Sequence, residues 1–173
     1  IQKAPPLSST LRIIDAEHIK LLTPVLIDVG AMGKGYSVDR IAEILRRHNC
    51  TRYLVDGSGD IVYRGEGTPL RCGLEDPENP QNVIGVTTVT DGAFCASGIG
   101  RRSWGTHHHI IDARTNVSPM EITGTWVKAS TADLADALAT CLFLVEPERL
   151  QRRFAFEYCT MSRDRSVRYS AHF

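Results

Sequence analysis

Apolar positions recur at helical spacing in two places. Between residues 38 and 47, Val38, Ile41, Ile44 and Leu45 fall on one face while Asp39, Arg40, Glu43, Arg46 and Arg47 fall elsewhere. That pattern predicts an amphipathic helix, closed at Asn49 and Cys50. Between 132 and 145, Ala135, Leu138, Ala139, Leu142 and Phe143 repeat in the same way. Thr131 stands where a helix N-cap belongs, and Asp133 in the first turn complements the helix dipole. Elsewhere, short apolar runs bounded by turn residues read as strands: Pro24 to Val29, Thr51 to Asp56, Ile61 to Arg64, Pro69 to Leu74, Val83 to Val89, Ala93 to Ala96, His108 to Ile111 and Thr123 to Lys128. A short helical turn is expected from Pro147, then a hairpin of Phe154 to Cys159 and Ser166 to Ser170 around Arg163-Asp164. Strands in runs with few interleaved helices argue for an α+β fold: a mixed, largely antiparallel sheet with packed helices.

Two polar residues interrupt the apolar face of the second helix. Asp136 and Thr140 are four residues apart, which places a carboxylate and a hydroxyl one above the other. Oxygen ligands so spaced can grip a hard cation. The alternative is structural, with Thr140 bonding back to the backbone of its own helix. The pair alone leaves both readings open.

Composition narrows the function classes. A chain of 173 residues suits one domain over residues 1–173, with roughly two thirds of its surface removed from water on folding. Twenty acidic residues balance twenty basic ones, and the pairs Arg46-Arg47, Arg101-Arg102 and Arg152-Arg153 are scattered, which argues against a nucleic-acid partner. No apolar run approaches the length of a bilayer span, and Ile1-Gln-Lys-Ala-Pro-Pro6 has neither a signal-peptide core nor a lipobox. Five cysteines without a Cys-x-x-Cys spacing indicate neither a zinc cluster nor a complete disulfide framework. Free thiols favour a reducing compartment, so a cytoplasmic protein is expected, or an exported or membrane-anchored one whose leader has been removed.

Three loops carry candidate chemistry. Gly30-Ala-Met-Gly-Lys-Gly35 lacks the ending of a Walker loop and the spacing of a dinucleotide fingerprint, yet glycines before a helix expose amides and Lys34 adds a positive charge where a phosphate is stabilised. In an extended His107-His108-His109, His107 and His109 share one face and His108 takes the other, so one metal bound by all three is awkward, whereas one histidine acting as a general base is easily built. Ala96-Ser97-Gly98 follows a strand but lacks the Gly-x-Ser-x-Gly elbow of a serine hydrolase.

Taken in order, these segments resemble the ApbE family, the FAD:protein FMN transferases. Asp28-Val-Gly-Ala-Met-Gly-Lys-Gly-Tyr-Ser-Val-Asp39 is similar to the family's Asp-Leu-Gly-Gly-x-Ala-Lys-Gly-Tyr-x-x-Asp stretch, and Val55-Asp-Gly-Ser-Gly-Asp-Ile61 to its Asn-x-Gly-Gly-Asp turn. Gly73-Leu-Glu-Asp-Pro77, Ala96-Ser97-Gly98, His109-Ile-Ile-Asp-Ala-Arg-Thr115 and Ala135-Asp-Ala-Leu-Ala-Thr140 resemble four further family segments. Asp56, Ser58, Ala113 and Asn116 depart from the family's usual residues.

The resemblance implies Mg2+ held by the backbone carbonyl of Ala31 and by Asp136 and Thr140. It implies FAD against Asp28, Lys34 and Ile110, with Ser97 in the same cleft and His109 as base for an incoming hydroxyl. The implied reaction moves FMN from FAD to a threonine of an acceptor flavoprotein and releases AMP. Two alternatives stay open: an FAD pyrophosphatase giving FMN and AMP, and an inactive flavin-binding module. Family members are usually longer at the N-terminus, which leaves three readings open: a fragment, a compact variant, or one half of a split protein, with a homo-oligomer or a second chain as ways to complete the FAD site.

Overall fold

The computed structural model describes residues 5–100, 102–105 and 107–173; the start of the Ile1–Pro6 stretch and Arg101 lie outside them. The body is a six-stranded sheet. Its strands are β3 (Tyr53–Asp56), β4 (Ile61–Arg64), β7 (Asp91–Gly98), β10 (Ile122–Ala129), β11 (Glu157–Ser162) and β12 (Val167–Tyr169), arranged β12-β11-β10-β7-β4-β3. Every pairing in it is antiparallel. Three two-stranded ribbons accompany it: β1 (Leu11–Ile13) with β2 (Ile19–Leu21), β5 (Leu70–Asp76) with β6 (Asn79–Val89), and β8 (Ser103–Trp104) with β9 (His107–His108). The helices are α1 (Leu7–Thr10), α2 (Gly33–Arg47), α3 (Ala132–Cys141) and α4 (Pro147–Gln151).

The sheet buries both faces, and the two-residue alternation along each strand sorts its side chains into two cores. Val62, Cys95, Val127 and Tyr158 join Val38 and Ala42 of α2 and Ala135, Leu138 and Ala139 of α3. Their neighbours Ile61, Tyr63, Phe94, Trp126, Cys159 and Met161 point the other way, onto Cys72, Leu74 and Val89 of the β5–β6 hairpin. The sheet is therefore a middle layer, with helices on one side and a hairpin on the other, as expected of an α+β protein.

Several elements differ from the sequence expectation. Pro24 to Val29 forms no strand, and Leu26 is 92 % exposed, because no neighbouring strand offers its backbone a ladder there. The strand expected at His108 to Ile111 shrinks to His107–His108. Beyond it, Asp112 turns the chain: its carbonyl receives the Asn116 amide, and Asn116 takes φ 59°. The long helix expected over 132–145 ends at Cys141. Ribbon β1–β2 was not anticipated, since a run of three residues is too short to show a period.

Candidate active site

The glycine loop leads into α2, and α2 crosses α3 near the N-terminal ends of both helices. The approach is close: a Cβ on Gly35 would lie 2.2 Å from the Ala132 carbonyl oxygen, so glycine is required there. Across this contact the helices complete each other. Asp39 of α2 receives the backbone amides of Ala132 (3.0 Å) and Asp133 (2.8 Å), two of the unpaired donors at the start of α3. Asp136 of α3 receives the amide of Gly35 in the first turn of α2 at 3.0 Å. Thr131 occupies the N-cap position, but its hydroxyl donates to Asp133 rather than to the helix backbone; Asp39 does the capping from another element.

Asp136 is 4 % exposed, and only its Oδ2 is bonded, which leaves Oδ1 uncommitted among the described residues. Burial pushes its carboxyl above the ordinary carboxylate range; the Gly35 amide pulls it back, neighbouring Asp60 adds to the rise, and Lys34 opposes it. One turn on, Thr140 makes no bond back to its own helix among the described residues. The preceding carbonyl, Ala139, accepts the Thr125 hydroxyl of β10 at 2.7 Å, which ties this end of α3 to the sheet.

The β5–β6 turn supplies the opposite wall. Pro77 packs against glycines: a Cβ on Gly100 would stand 2.3 Å from the Pro77 carbonyl oxygen, and one on Gly124 would stand 2.5 Å from the Pro77 ring. Arg165 holds this turn from the far hairpin, bonding Asp76 (2.8 Å) and Glu78 (2.9 Å).

The three histidines separate as their alternation requires. His108 is buried and committed: its Nε2 donates to the Pro119 carbonyl (2.7 Å), its backbone exchanges bonds with the Ser118 hydroxyl, and its Nδ1 accepts the Ile110 amide (3.3 Å). All three line the cavity, but only His107 and His109 each keep a buried Nδ1 that has no hydrogen-bond partner. Burial holds His109 below the usual histidine value, and the Arg102 charge lowers it further.

All eight residues singled out in the sequence, Asp28, Ala31, Lys34, Ser97, His109, Ile110, Asp136 and Thr140, line this one cavity of about 1180 Å³. Asp28 also fixes its loop, its Oδ1 receiving the Gly30 amide at 2.7 Å. Sequence reasoning passed over Asp39, Asp60 and Arg102 as individual actors. Asp39 and Asp60 stood within quoted motifs, but their partners lie far along the chain. Among the described residues no cluster of three His, Cys, Asp or Glu side chains could hold a metal ion. A carboxylate, a hydroxyl and a main-chain carbonyl are nonetheless hard oxygen donors, and the free Oδ1 of Asp136 with the unbonded Thr140 hydroxyl fits an oxygen-seeking divalent cation.

Known proteins resemble this chain in sequence and in fold. The FAD:protein FMN transferase of Klebsiella pneumoniae strain 342 is 28 % identical over 143 residues, a match covering 77 % of this chain and 41 % of that protein. The FAD:protein FMN transferase of Escherichia coli K12 is 29 % identical over 153 residues, covering 80 % and 43 %. This chain thus spans about two fifths of the length of those curated relatives. The crystal structure of the ApbE protein from Thermotoga maritima superposes with a TM-score of 0.82 at 23 % identity, over 94 % of this chain and 57 % of that one. Flavin transferase ApbE from Vibrio cholerae gives a TM-score of 0.79 at 23 % identity, over 95 % and 57 %. The sequence profile of the ApbE family matches residues 2–159, and the chain belongs to that family.

Proposed function

We propose that this cavity binds FAD and transfers its FMN half to a threonine hydroxyl of an acceptor protein, releasing AMP. The observation that carries the reading is the convergence of Lys34, Asp136, Thr140, Ser97 and His109, drawn from four separated segments, on one cavity. Named relatives that are FAD:protein FMN transferases support the same chemistry.

In this reading Lys34, in the first turn of α2, receives the pyrophosphate, where a helix N-terminus and a cation favour negative charge. Asp28 and Ile110 border the flavin, and Ser97 lies in the same cleft. His109 accepts the threonine proton; a base held below the ordinary histidine value is neutral, and so competent, at neutral pH. The threonine oxygen forms a bond to the FMN-side phosphorus, the bridging phosphoanhydride bond breaks, and AMP leaves with the electron pair. His108 is excluded from proton transfer because both of its ring nitrogens are engaged. Mg2+, held by Asp136, Thr140 and the Ala31 carbonyl, would neutralise charge on the pyrophosphate.

The test is AMP release from FAD as magnesium is titrated, with and without a threonine-bearing acceptor peptide. Magnesium-dependent AMP release is expected to rise with the acceptor. Absence of AMP under every condition would contradict the reading.

A further inference from the structure

Asp60 is a buried charge that no step above uses. It is 0 % exposed, and neither carboxylate oxygen has a hydrogen-bond partner. Its Oδ2 stands instead in direct ion contact with the ammonium of Lys34, whose side chain is 49 % exposed. Asp60 does not itself line the cavity, whereas Lys34 does. A ligand in the cavity would therefore meet Lys34 with Asp60 behind it.

The sequence builds this arrangement from a stiff turn. β3 and β4 are joined by Asp56 to Asp60, where Ser58 (φ 67°) and Gly59 (φ 97°) take left-handed geometry. The Asp56 carboxylate receives the Gly59 amide at 2.8 Å, and the Asp60 carbonyl receives the Gly57 amide at 2.8 Å. A Cβ on Gly57 would come within 2.5 Å of Val38 on α2, so the turn sits tightly under the helix that carries Lys34. A lysine free in water samples many rotamers, and fixing it costs entropy when ligand binds. A buried carboxylate behind it limits that freedom beforehand.

We propose that Asp60 is a positioning residue that holds the Lys34 ammonium at the cavity wall as a preset receiver for the phosphate groups of a dinucleotide. Leaving a buried carboxylate unpaired is costly, so the pair also makes Lys34 a condition of stability. The ligand assignment rests on the FAD reading above; the pairing rests on geometry alone.

A double-mutant cycle separates these. Lys34→Met, Asp60→Asn and the double variant are compared with the parent for FAD affinity by flavin fluorescence, at constant magnesium, and for melting temperature. Each single change is expected to weaken FAD binding about tenfold, and the double variant to be no weaker than Lys34→Met alone, because on this proposal Asp60 reaches the ligand through Lys34. Lys34→Met is expected to lower the melting temperature, and adding Asp60→Asn to restore part of the loss. Asp60→Ala replaces Asp60→Asn should the amide prevent folding. Independent, multiplying effects on affinity, or unchanged affinity in Asp60→Asn, would overturn the proposal. If the parent binds no FAD, the flavin reading fails, and the same cycle run with inorganic pyrophosphate decides the positioning role by the same criteria.

Discussion

Asp39 on α2 and Asp136 on α3 bond across one helix contact in opposite directions, each receiving backbone amides from the start of the other helix. The cavity wall is thus set by reciprocal capping, and the residue proposed to hold the metal is also a structural link.

Removing the Asp39 carboxylate leaves two amides at the start of α3 without partners. Asp39→Ala is expected to destabilise the protein by about 1–2 kcal/mol, with Asp39→Asn losing less because its amide oxygen still accepts. Urea unfolding monitored by circular dichroism measures the difference. Equal stability of parent and Asp39→Ala would show that the capping bonds contribute little.

Asp136→Asn separates the two duties of that residue. The amide oxygen can still receive the Gly35 amide, so the melting temperature should change little, while the anionic ligand is lost. The magnesium concentration for half-maximal FAD turnover is expected to rise by about tenfold or more. An unchanged magnesium requirement would remove Asp136 from the metal site.

The pH dependence follows from His109, whose value is depressed below 6.5 by burial first and Arg102 second. Between that depressed value and 6.5 the folded chain binds fewer protons than the unfolded one, so the contribution of this group to stability rises with pH across the window. The acid limb of kcat/KM should lie below pH 6.5 in the parent and move upward in Arg102→Gln. A limb that stays put in that variant would detach Arg102 from His109, and activity surviving in His109→Ala would remove the base.

Much of this was legible in the chain. The period of α2, the hairpin around Asp56 to Asp60 and the spacing of Asp136 and Thr140 are local patterns, and local patterns survive folding. The alternation of His107, His108 and His109 sorted the one committed ring from the two that keep an unpartnered Nδ1. What escaped depends on distance along the chain. The cap of α3 comes from Asp39, 93 residues before Ala132, so Thr131 drew attention that belonged elsewhere. Asp60 gains its meaning only when the turn folds beneath α2. Pro24 to Val29 has the composition of a strand, but a strand needs a partner, and none is present among the described residues.

The described residues contain no helix long and apolar enough to cross a membrane, and all five cysteines are free. In the proposed reaction the acceptor is defined by its product, which makes covalent transfer the decisive observable.

That observable is the intact mass of a threonine-bearing acceptor incubated with this protein, FAD and magnesium. The account predicts an acceptor heavier by one FMN less water, fragmenting to place the phosphoester on threonine, with one AMP released per adduct and neither product formed by His109→Ala. Free FMN and AMP with an unmodified acceptor would contradict transfer, and so would unchanged FAD.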